Sequence, residues 1–344
     1  MADGVPADIE QMRLVVRACA EQALRHWELD VVSLEFVTMR ENAVFRADTV
    51  SGRSFAVRVH RPGYHTVPEL ESEVEWTTAL RAAGIDTPEV MRTRSGAAYA
   101  EVPWGDGTSR MVGLSEWVSG EVLAASLLEP SGVEVCRRLG ALTAQLHEHT
   151  SRWTPSTRFT RHRLDLDGLL GDAPWWGRFW DVPEITAEQR PVVDAAREYL
   201  AGMLCDLGTA PHTFGLIHAD LLPHNVLVHD GRPYVIDFDD AAFGWHHYDM
   251  ATSLYDIADP TLRAERRDAL VAGYRTVREF SPSDEAMLPA FHVLRQFQVI
   301  GWMHPRIDAI LAVNQRPESR ADVMSARLER AVADAVQLLE SSPR

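Results

Sequence analysis

A short stretch of the chain combines carboxylate, amide and imidazole side chains at spacings that suit phosphate chemistry. Asp220 stands two residues after His218 and five before Asn225, and Asp237 follows in the same stretch. Carboxylate and amide oxygens suit Mg²⁺, which takes only one or two protein carboxylates and completes its shell with water and substrate phosphate. These side chains therefore indicate a magnesium-assisted reaction of a phosphate group.

The residues between Asn225 and Asp237 predict how these two side chains meet. Two apolar runs, Val226–Val228 and Tyr234–Ile236, flank an Asp-Gly dipeptide that is typical of tight β-hairpin turns. With the turn centred on Gly231, antiparallel pairing places Asn225 directly opposite Asp237. One amide and one carboxylate are thus expected together at the open end of a hairpin.

Two other interpretations of these residues stay open at this stage. In the first, the polar side chains only cap a loop and end a strand, although the chain has only three asparagines with which to match such a pattern. In the second, the chain is a hydrolase that binds a transition metal such as Zn²⁺ or Mn²⁺ and no nucleotide, because imidazole and carboxylate suit such metals. Its ligands would come from His218, Asp220, His224, Asp237 and His246.

The pattern His218-x-Asp220-x-x-x-x-Asn225, followed by Asp237-Phe-Asp239, resembles the catalytic loop and metal motif of the aminoglycoside phosphotransferase and choline kinase-like superfamily. The resemblance covers most of the chain. The Asp-Phe-Asp-Asp form is most similar to the branch of the stress-response kinase, homoserine kinase-like and hydroxylysine kinase-like proteins. It implies an α+β, bilobal, protein-kinase-like fold with a small β-rich N-terminal lobe and a larger, mainly helical C-terminal lobe.

The same resemblance implies roles for residues of the larger lobe. Asp220 is expected to orient the acceptor hydroxyl and accept its proton, while Asn225 and Asp237 bind the metal at the nucleotide phosphates. The other polar residues of the motif are expected on the structural or substrate side of the site, as a brace of the loop, a contact to metal or substrate, and a buried support: His218, Asp239 and Asp249.

In the smaller lobe, Phe55–Val59 resembles the third strand of the family. Arg58 stands there in place of the usual lysine, which contacts the α- and β-phosphates, and all 34 basic residues of this chain are arginine. Arginine is always charged and can fork onto phosphate, but its reach and geometry differ from those of lysine. Glu73 of the following helix is the expected partner of Arg58, with Glu69 and Glu71 as alternatives.

Two further segments resemble parts of the nucleotide site. Ser115, Glu116 and Trp117 belong to a stretch that is similar to the hinge strand that holds adenine. Arg40-Glu41-Asn42-Ala43 occupies the turn where protein kinases have a glycine-rich loop. The expected division is a nucleotide-binding lobe at 1–115 and a catalytic and acceptor-binding lobe at 116–344.

Helix starts are predicted from two Ser/Thr-x-x-Glu patterns, each of which is typical of a capping box. Thr66 with Glu69 predicts the helix that carries Glu73, and Ser131 with Glu134 predicts a second helix. Apolar residues at helical spacing follow Glu134 and predict that this second helix ends near His147.

Composition excludes several classes of protein. The 344 residues carry a net charge of −16, so a phosphate-backbone binder is a poor fit and no nucleic-acid partner is expected. No run of eighteen apolar residues predicts a membrane span, and the N-terminus lacks the pattern of a secretory signal. Three widely separated cysteines indicate buried thiols in a reducing compartment, and we expect a cytoplasmic protein.

The sequence thus predicts an ATP-dependent kinase, with GTP as an alternative nucleotide and Mg²⁺ as the metal. The acceptor is a small-molecule hydroxyl, with aminoglycosides, amino alcohols, hydroxy-amino acids and sugars all open and a cationic acceptor favoured by the acidic charge. A protein Ser/Thr kinase and a nucleotide-binding regulator without turnover are the alternatives. Candidate acceptor-side residues are Asp240, Trp245, His246, His247, Arg295, Trp302 and the aromatic segment 173–180.

Overall fold

The computed structural model describes residues 7–39, 42–105, 107–230, 232–313 and 317–341. The chain divides into two compact units, the first of residues 1–119, 155–160 and 308–317, and the second of residues 120–154, 161–307 and 318–344. The expected lobe boundary at residue 115 stays a prediction. Arg40 and Glu41 of the expected phosphate-loop turn, and Gly231 of the hairpin, lie outside the described residues.

Helices and strands alternate in the first third of the described chain, and helices dominate the rest. The helices are α1 Ala7–Leu24, α2 Val67–Ala82, α3 Gly132–Arg152, α4 Leu166–Leu170, α5 Arg190–Leu207, α6 His246–Thr252, α7 Pro260–Tyr274, α8 Pro282–Met303, α9 Ile307–Val313 and α10 Arg320–Ser341. The strands are β1 Val31–Met39, β2 Ala43–Thr49, β3 Ser54–Val59, β4 Tyr99–Pro103, β5 Ser109–Glu116, β6 Glu121–Val122, β7 Arg163–Leu164, β8 Phe214–Ile217, β9 Val226–His229, β10 Arg232–Val235 and β11 Ala242–Trp245.

The first unit is built on an antiparallel sheet with the strand order β1-β2-β3-β5-β4. Alternate residues of its central strands are buried, as a period of two requires when one face of a sheet packs on a core. Helix α1 contributes Ala20 and Ala23 to that core, against Phe45, Val57 and Leu114 of the sheet. Strand β3, which carries Arg58, is thereby held at the centre of the sheet.

Helix α2 begins with the predicted capping box, which the structure confirms. Thr66 accepts from the backbone N–H of Glu69, and the Glu69 carboxylate accepts from the backbone N–H of Thr66. The segment 155–160 belongs to the same unit and is hydrogen-bonded to this helix: Ser156 donates to the Glu75 carboxylate with its N–H and its hydroxyl, at 2.6 and 2.7 Å. The helix that carries Glu73 is thus fixed at its start and along its exposed side.

The capping box predicted at the start of α3 is wrong. Ser131 has helical backbone angles and makes no side-chain cap, so its hydroxyl does not face the free N–H groups of the first turn. Glu134 instead lies within ion-pair distance of two exposed arginines one turn later. The helix also continues past the predicted end at His147 as far as Arg152.

Helices α3 and α7 of the second unit cross at two glycines. A Cβ on Gly140 would lie 1.9 Å from the Leu270 carbonyl oxygen, and one on Gly273 would lie 1.8 Å from that of Arg137. Since no side chain fits at such distances, the backbones meet directly. This close approach brings His147 of α3 to Tyr274 at the end of α7.

Strands β9 and β10 form the predicted hairpin, but the predicted register is off by one residue. His229 pairs with Arg232, and Val226 pairs with Val235, so Asn225 comes opposite Ile236 and accepts its N–H at 2.9 Å. The physical reason is a two-residue turn in place of the three-residue turn centred on Gly231. Asp230 supports that tight turn with the left-handed φ of 49° that such turns require.

The three cysteines of the chain form no disulfide. Cys19, Cys136 and Cys205 are free thiols, as predicted, but Cys205 is exposed because it falls on the outer face of α5, beside the buried Leu204.

No helix of the described ranges is both long and apolar enough to cross a membrane.

Helix α8 depends on one carboxylate at its first turn. Asp284 forms a capping box with Ser281 and accepts from His247 Nε2 at 3.0 Å. The hydrogen bond from His247, followed by those from Ser281 and opposed by partial burial, holds the pKa of Asp284 far below its usual range. The folded state is therefore stabilised when this carboxyl is ionised.

We predict that Asp284→Asn lowers the free energy of unfolding by about 1–2 kcal/mol at pH 7, the usual loss for a cap and a hydrogen bond to a charge. Because the folded pKa is depressed, the wild-type advantage exists above the unfolded pKa of about 4 and fades as the pH falls below it. Urea unfolding at pH 7 and at about pH 3 measures the difference. Asp206→Asn, at an exposed carboxylate of α5, is the control, and an equal loss at both pH values would contradict the linkage.

Candidate active site

The loop that carries Asp220 is held by a buried carboxylate of α6. Asp249 is fully buried, and its oxygens accept the backbone N–H groups of His218 and Ala219 at 2.9 and 2.7 Å. Ala219 has a left-handed φ of 65°, a conformation that costs a residue with a Cβ on the order of 1 kcal/mol. The two hydrogen bonds hold the strained backbone just before Asp220.

A chain of buried side chains fixes Asp249 in turn. His147 lies between Tyr274 Oη, at 2.9 Å from Nδ1, and Asp249 Oδ2, at 3.1 Å from Nε2. Burial, with Arg278 nearby, holds the pKa of His147 well below its usual range. The neutral ring therefore carries its proton on Nε2, donates to the carboxylate and accepts from the tyrosine hydroxyl.

His218 contacts the loop with both ring nitrogens. Nε2 lies 3.1 Å from the Ile236 carbonyl oxygen, and Nδ1 accepts the backbone N–H of Asp220 at 3.3 Å. Burial lowers the pKa of this histidine despite the opposing charge of Asp249. Its contacts are those of a side chain that ties the loop to the residue before Asp237.

Both carboxylate oxygens of Asp220 have partners. Oδ1 accepts from Arg295 Nη2, and Oδ2 accepts from Asn225 Nδ2 at 2.9 Å. Burial raises the pKa of Asp220 above its usual range, opposed by Arg295 and reinforced by the nearby Asp237 and Asp240. A fixed carboxylate of raised basicity suits the abstraction of a proton from a hydroxyl group.

Asn225 and Asp237 have the donor chemistry of a site for a hard cation. Asn225 Nδ2 donates to the backbone oxygen and to Oδ2 of Asp220, so its amide oxygen is the atom that remains to face a metal. The backbone oxygen of Asn225 accepts a hydrogen bond from the N–H of Ile236, and the next residue, Asp237, has a left-handed φ of 64°. One amide and one carboxylate fit Mg²⁺ that takes its other ligands from water and phosphate.

The loop after Asp237 is clamped by Arg161, which the sequence analysis missed. This buried guanidinium donates to the backbone oxygens of Phe238, Asp239 and Ala241. Asp239 is itself buried. Contacts to backbone carbonyls require no particular residue on the other side, so no sequence pattern could have indicated this arginine.

Several candidate acceptor-side residues have structural contacts instead. Trp245 is buried and donates a hydrogen bond to the Gly208 backbone oxygen at 2.7 Å. His246 is buried and stacks on His147, and His247 is hydrogen-bonded to Asp284. In the segment 173–180, Trp176 stacks on Tyr248 and Phe179 on Phe297. These rings pin the segment to the helices, the more ordinary interpretation of such aromatics.

Arg295 and Trp302 differ from these. The side chain of Arg295 is only 8% exposed and is ion-paired with Asp220. Trp302 is partly exposed, near the end of α8, with the Arg306 guanidinium over its ring.

The first unit holds the other predicted residues. Arg58 Nη1 lies 3.7 Å from Glu73 Oε1, while Glu69 is engaged in the cap of α2. The N–H groups of Glu116 and Trp117 donate to the oxygens of Glu89 and Ser54, and Ser115 pairs with β3. An adenine ring would therefore meet the carbonyl oxygens of this strand or the N–H groups beyond residue 117.

The ligands named for a transition-metal hydrolase have other contacts in the structure. Within the residues that the structure describes, no three His, Cys, Asp or Glu side chains are grouped to hold a metal. His224 pairs with the exposed Asp256, and His246 packs on His147.

A strand arginine paired with a helix glutamate, and an Asp–Asn–Asp constellation on loops of a helical unit, define a kinase-like phosphotransferase. Residues 35–282 match the model of the phosphotransferase enzyme family, and the chain belongs to that family. An aminopropanol kinase associated with a microcompartment is 35% identical with a TM-score of 0.82, over 94% of this chain and 98% of the other. The homoserine kinase of Burkholderia cenocepacia (strain HI2424) is 26% identical over 76% of this chain and 77% of its own.

An amicoumacin kinase, solved in complex with AMP-PNP, Ca²⁺ and Ami, shares the fold at 22% identity and a TM-score of 0.73, over 96% of this chain and 97% of the other. The predicted α+β, protein-kinase-like fold is thus confirmed. The chain is an ATP-dependent phosphotransferase that acts on an alcohol group of a small molecule.

We predict that Asp249→Asn reduces the rate of phosphoryl transfer by about 100-fold and destabilises the fold by about 1–3 kcal/mol, because one backbone N–H would face an amide N–H₂. Tyr274→Phe is the matched control, since it removes a hydrogen bond from the far end of the same chain of side chains. It should lower the melting temperature with a much smaller effect on the rate. Equal effects of both variants on the rate would contradict the positioning role of Asp249.

Proposed function

We propose that Asp220 is the general base of a small-molecule kinase. The acceptor hydroxyl oxygen attacks the γ-phosphorus of ATP, a new O–P bond forms, the bond to the bridging β–γ oxygen breaks, and ADP leaves. The hydroxyl proton passes to Asp220. The observation that carries this proposal is the carboxylate held by Asn225 and Arg295, on a strained loop next to the residues suited to a metal.

Asn225 and Asp237 are the proposed ligands of Mg²⁺, which supplies charge neutralisation and alignment of the nucleotide phosphates. The orientation of the Asn225 amide supports this, because its N–H₂ group is committed to Asp220. The same hydrogen bonds make Asn225 the link between the base and the metal. His218, Asp239 and Asp249 are proposed as supports of the two loops.

Arg58 is the proposed contact to the α- and β-phosphates, and Glu73 orients it. The ion pair in the first unit supports this pairing, and both side chains are largely buried. Ser115, Glu116 and Trp117 are proposed to meet the adenine edge through backbone atoms. The nucleotide-binding lobe is proposed at 1–115 and the catalytic lobe at 116–344.

The proposed acceptors are small amino alcohols and hydroxy-amino acids. The support is the likeness to an aminopropanol kinase and a homoserine kinase, whose named substrates both combine a hydroxyl with an amine. The net charge of −16 favours a cationic acceptor. The proposed location is the cytoplasm, where ATP is available and the free thiols, one of them exposed, stay reduced.

We predict Mg²⁺-dependent release of ADP that is stimulated by one acceptor pool among amino alcohols, hydroxy-amino acids, aminoglycosides and sugars. Asp220→Asn should abolish stimulated release and retain binding of MgATP, because it removes the base and keeps the shape. Asp237→Asn should weaken the binding itself, since it replaces a negatively charged metal ligand by a neutral one. A coupled assay and calorimetric titration measure the two, and the reverse pattern would refute the assigned roles.

Other outcomes of this assay separate the alternatives. Stimulation by peptides instead of small molecules would indicate a protein kinase. Binding of MgATP with no transfer to any acceptor or to water would indicate a regulator without turnover. No binding would mean that arginine at position 58 has abolished the nucleotide site.

We predict that Arg58→Ala raises KM for ATP at least tenfold and leaves KM for the acceptor unchanged, because a charge-assisted contact to phosphate is lost. Arg58→Lys should bring KM back to within about threefold of the wild type. Arg53→Ala, at an exposed arginine immediately before the same strand, is the matched control. An unchanged KM for ATP in Arg58→Ala would exclude this arginine from the phosphate contact.

A further inference from the structure

Arg295 is a buried arginine whose guanidinium faces the proposed base. It projects from α8, and Nη2 donates to Asp220 Oδ1 while Nη1 donates to Tyr248 Oη at 3.3 Å. The whole residue is 6% exposed. The carboxylate on which the proposed chemistry depends therefore has a fixed, charged neighbour on the side opposite to Asn225.

Three aromatic rings surround this guanidinium. Its central carbon lies 5.7, 5.8 and 5.7 Å from the ring centroids of Trp176, Tyr248 and Tyr255. A cation enclosed by aromatic rings at such distances is stabilised, more so when it is desolvated. The rings also restrict the side chain to one position, so the place of Asp220 Oδ1 is set by packing as well as by charge.

One donor of Arg295 is left without a partner. Nε is buried and has no hydrogen-bond partner among the described residues. In a planar guanidinium, Nε–H and Nη2–H project from the same edge, the fork that can take two oxygens side by side. Nη2 is on Asp220, so an oxygen that paired with both Nε–H and Nη2–H would lie beside the carboxylate, and a buried unpaired donor is costly enough to call for such an occupant.

We propose that Arg295 positions both Asp220 and the acceptor: Nη2 fixes the carboxylate, and Nε–H donates to an oxygen of the bound acceptor next to it. This rests on the proposed role of Asp220 as the base. The acceptor oxygen is thereby held between a hydrogen-bond donor and the carboxylate that takes its proton. Alignment of this kind contributes to the rate of transfer more than to the binding of nucleotide.

The arrangement also restricts which part of the acceptor lies here. The aromatic enclosure beside Asp220 is filled by the protein's own cation, so an ammonium group of the acceptor has no room in it. The oxygen-bearing end of the acceptor faces Arg295, and its amine binds elsewhere.

The test measures kcat and both KM values for Arg295→Ala and Arg295→Lys, using 1-amino-2-propanol and L-homoserine, the best acceptor of the pooled assay, or water if no pool stimulates. We expect kcat of Arg295→Ala to fall at least 100-fold, while KM for ATP stays within threefold. Arg295→Lys should recover at least tenfold of that loss. Added guanidinium ion at 10–100 mM should raise kcat of Arg295→Ala at least tenfold, because it can occupy the vacated enclosure.

Arg266→Ala is the matched control, since Arg266 is an equally buried arginine that donates to the Leu127 and Glu129 oxygens of another part of the unit. It removes the same amount of buried side chain, and guanidinium ion should not raise its rate. Rescue by guanidinium ion would also show that the loss of activity in the alanine variant is not caused by poor folding, because only folded protein can be reactivated.

Three results would overturn the proposal: kcat within threefold of the wild type in Arg295→Ala, a loss confined to KM for ATP, or a loss that neither lysine nor guanidinium ion restores. Failure of the proposed function looks different. It is the absence of ADP release in the wild type, or an unimpaired Asp220→Asn variant.

Discussion

The site depends on a buried carboxylate that accepts hydrogen bonds from two consecutive backbone N–H groups. Asp249 does this for His218 and Ala219, and it keeps Ala219 in a left-handed conformation that the chain would otherwise leave. Its own place comes from His147, whose helix meets α7 backbone to backbone at two glycines. The backbone just before Asp220 is therefore held by a series of contacts that begins where helices α3 and α7 pack together.

Charge at the site is balanced locally. Asp220, Asp237 and Asp240 bring negative charge together, and the Arg295 guanidinium and the hydrogen bonds of Asn225 stabilise it. Burial makes each such contact strong, and it makes any missing one expensive. The aromatic rings around Arg295 hold its guanidinium in place, and the Arg161 guanidinium fixes the loop after Asp237 through backbone carbonyl oxygens.

In a chain without lysine, Arg58 stands where the family pattern has the lysine that contacts phosphate. Arg58 keeps the ion pair with Glu73 that the family pattern predicts, and the helix of Glu73 is secured by its capping box and by Ser156. A fork-shaped, permanently charged group can neutralise phosphate as lysine does, but its planar donors must be oriented. The ion pair with Glu73 orients the guanidinium within the first unit.

Hydrophobic period, capping residues and turn dipeptides are local signals that predict helices, strands and turns, and the spaced Asp, Asn and Asp residues are a family pattern that predicts the class of protein. It therefore predicted the hairpin, the cap at Thr66 and the kinase-like fold. It missed the register at Asn225, the cap at Ser131, the exposure of Cys205 and the clamp by Arg161. The pairing of Asp220 with Arg295, 75 residues further along the chain, became visible only in the folded structure. A contact between distant segments depends on how the helices pack, and neither segment has a local sequence pattern that predicts it.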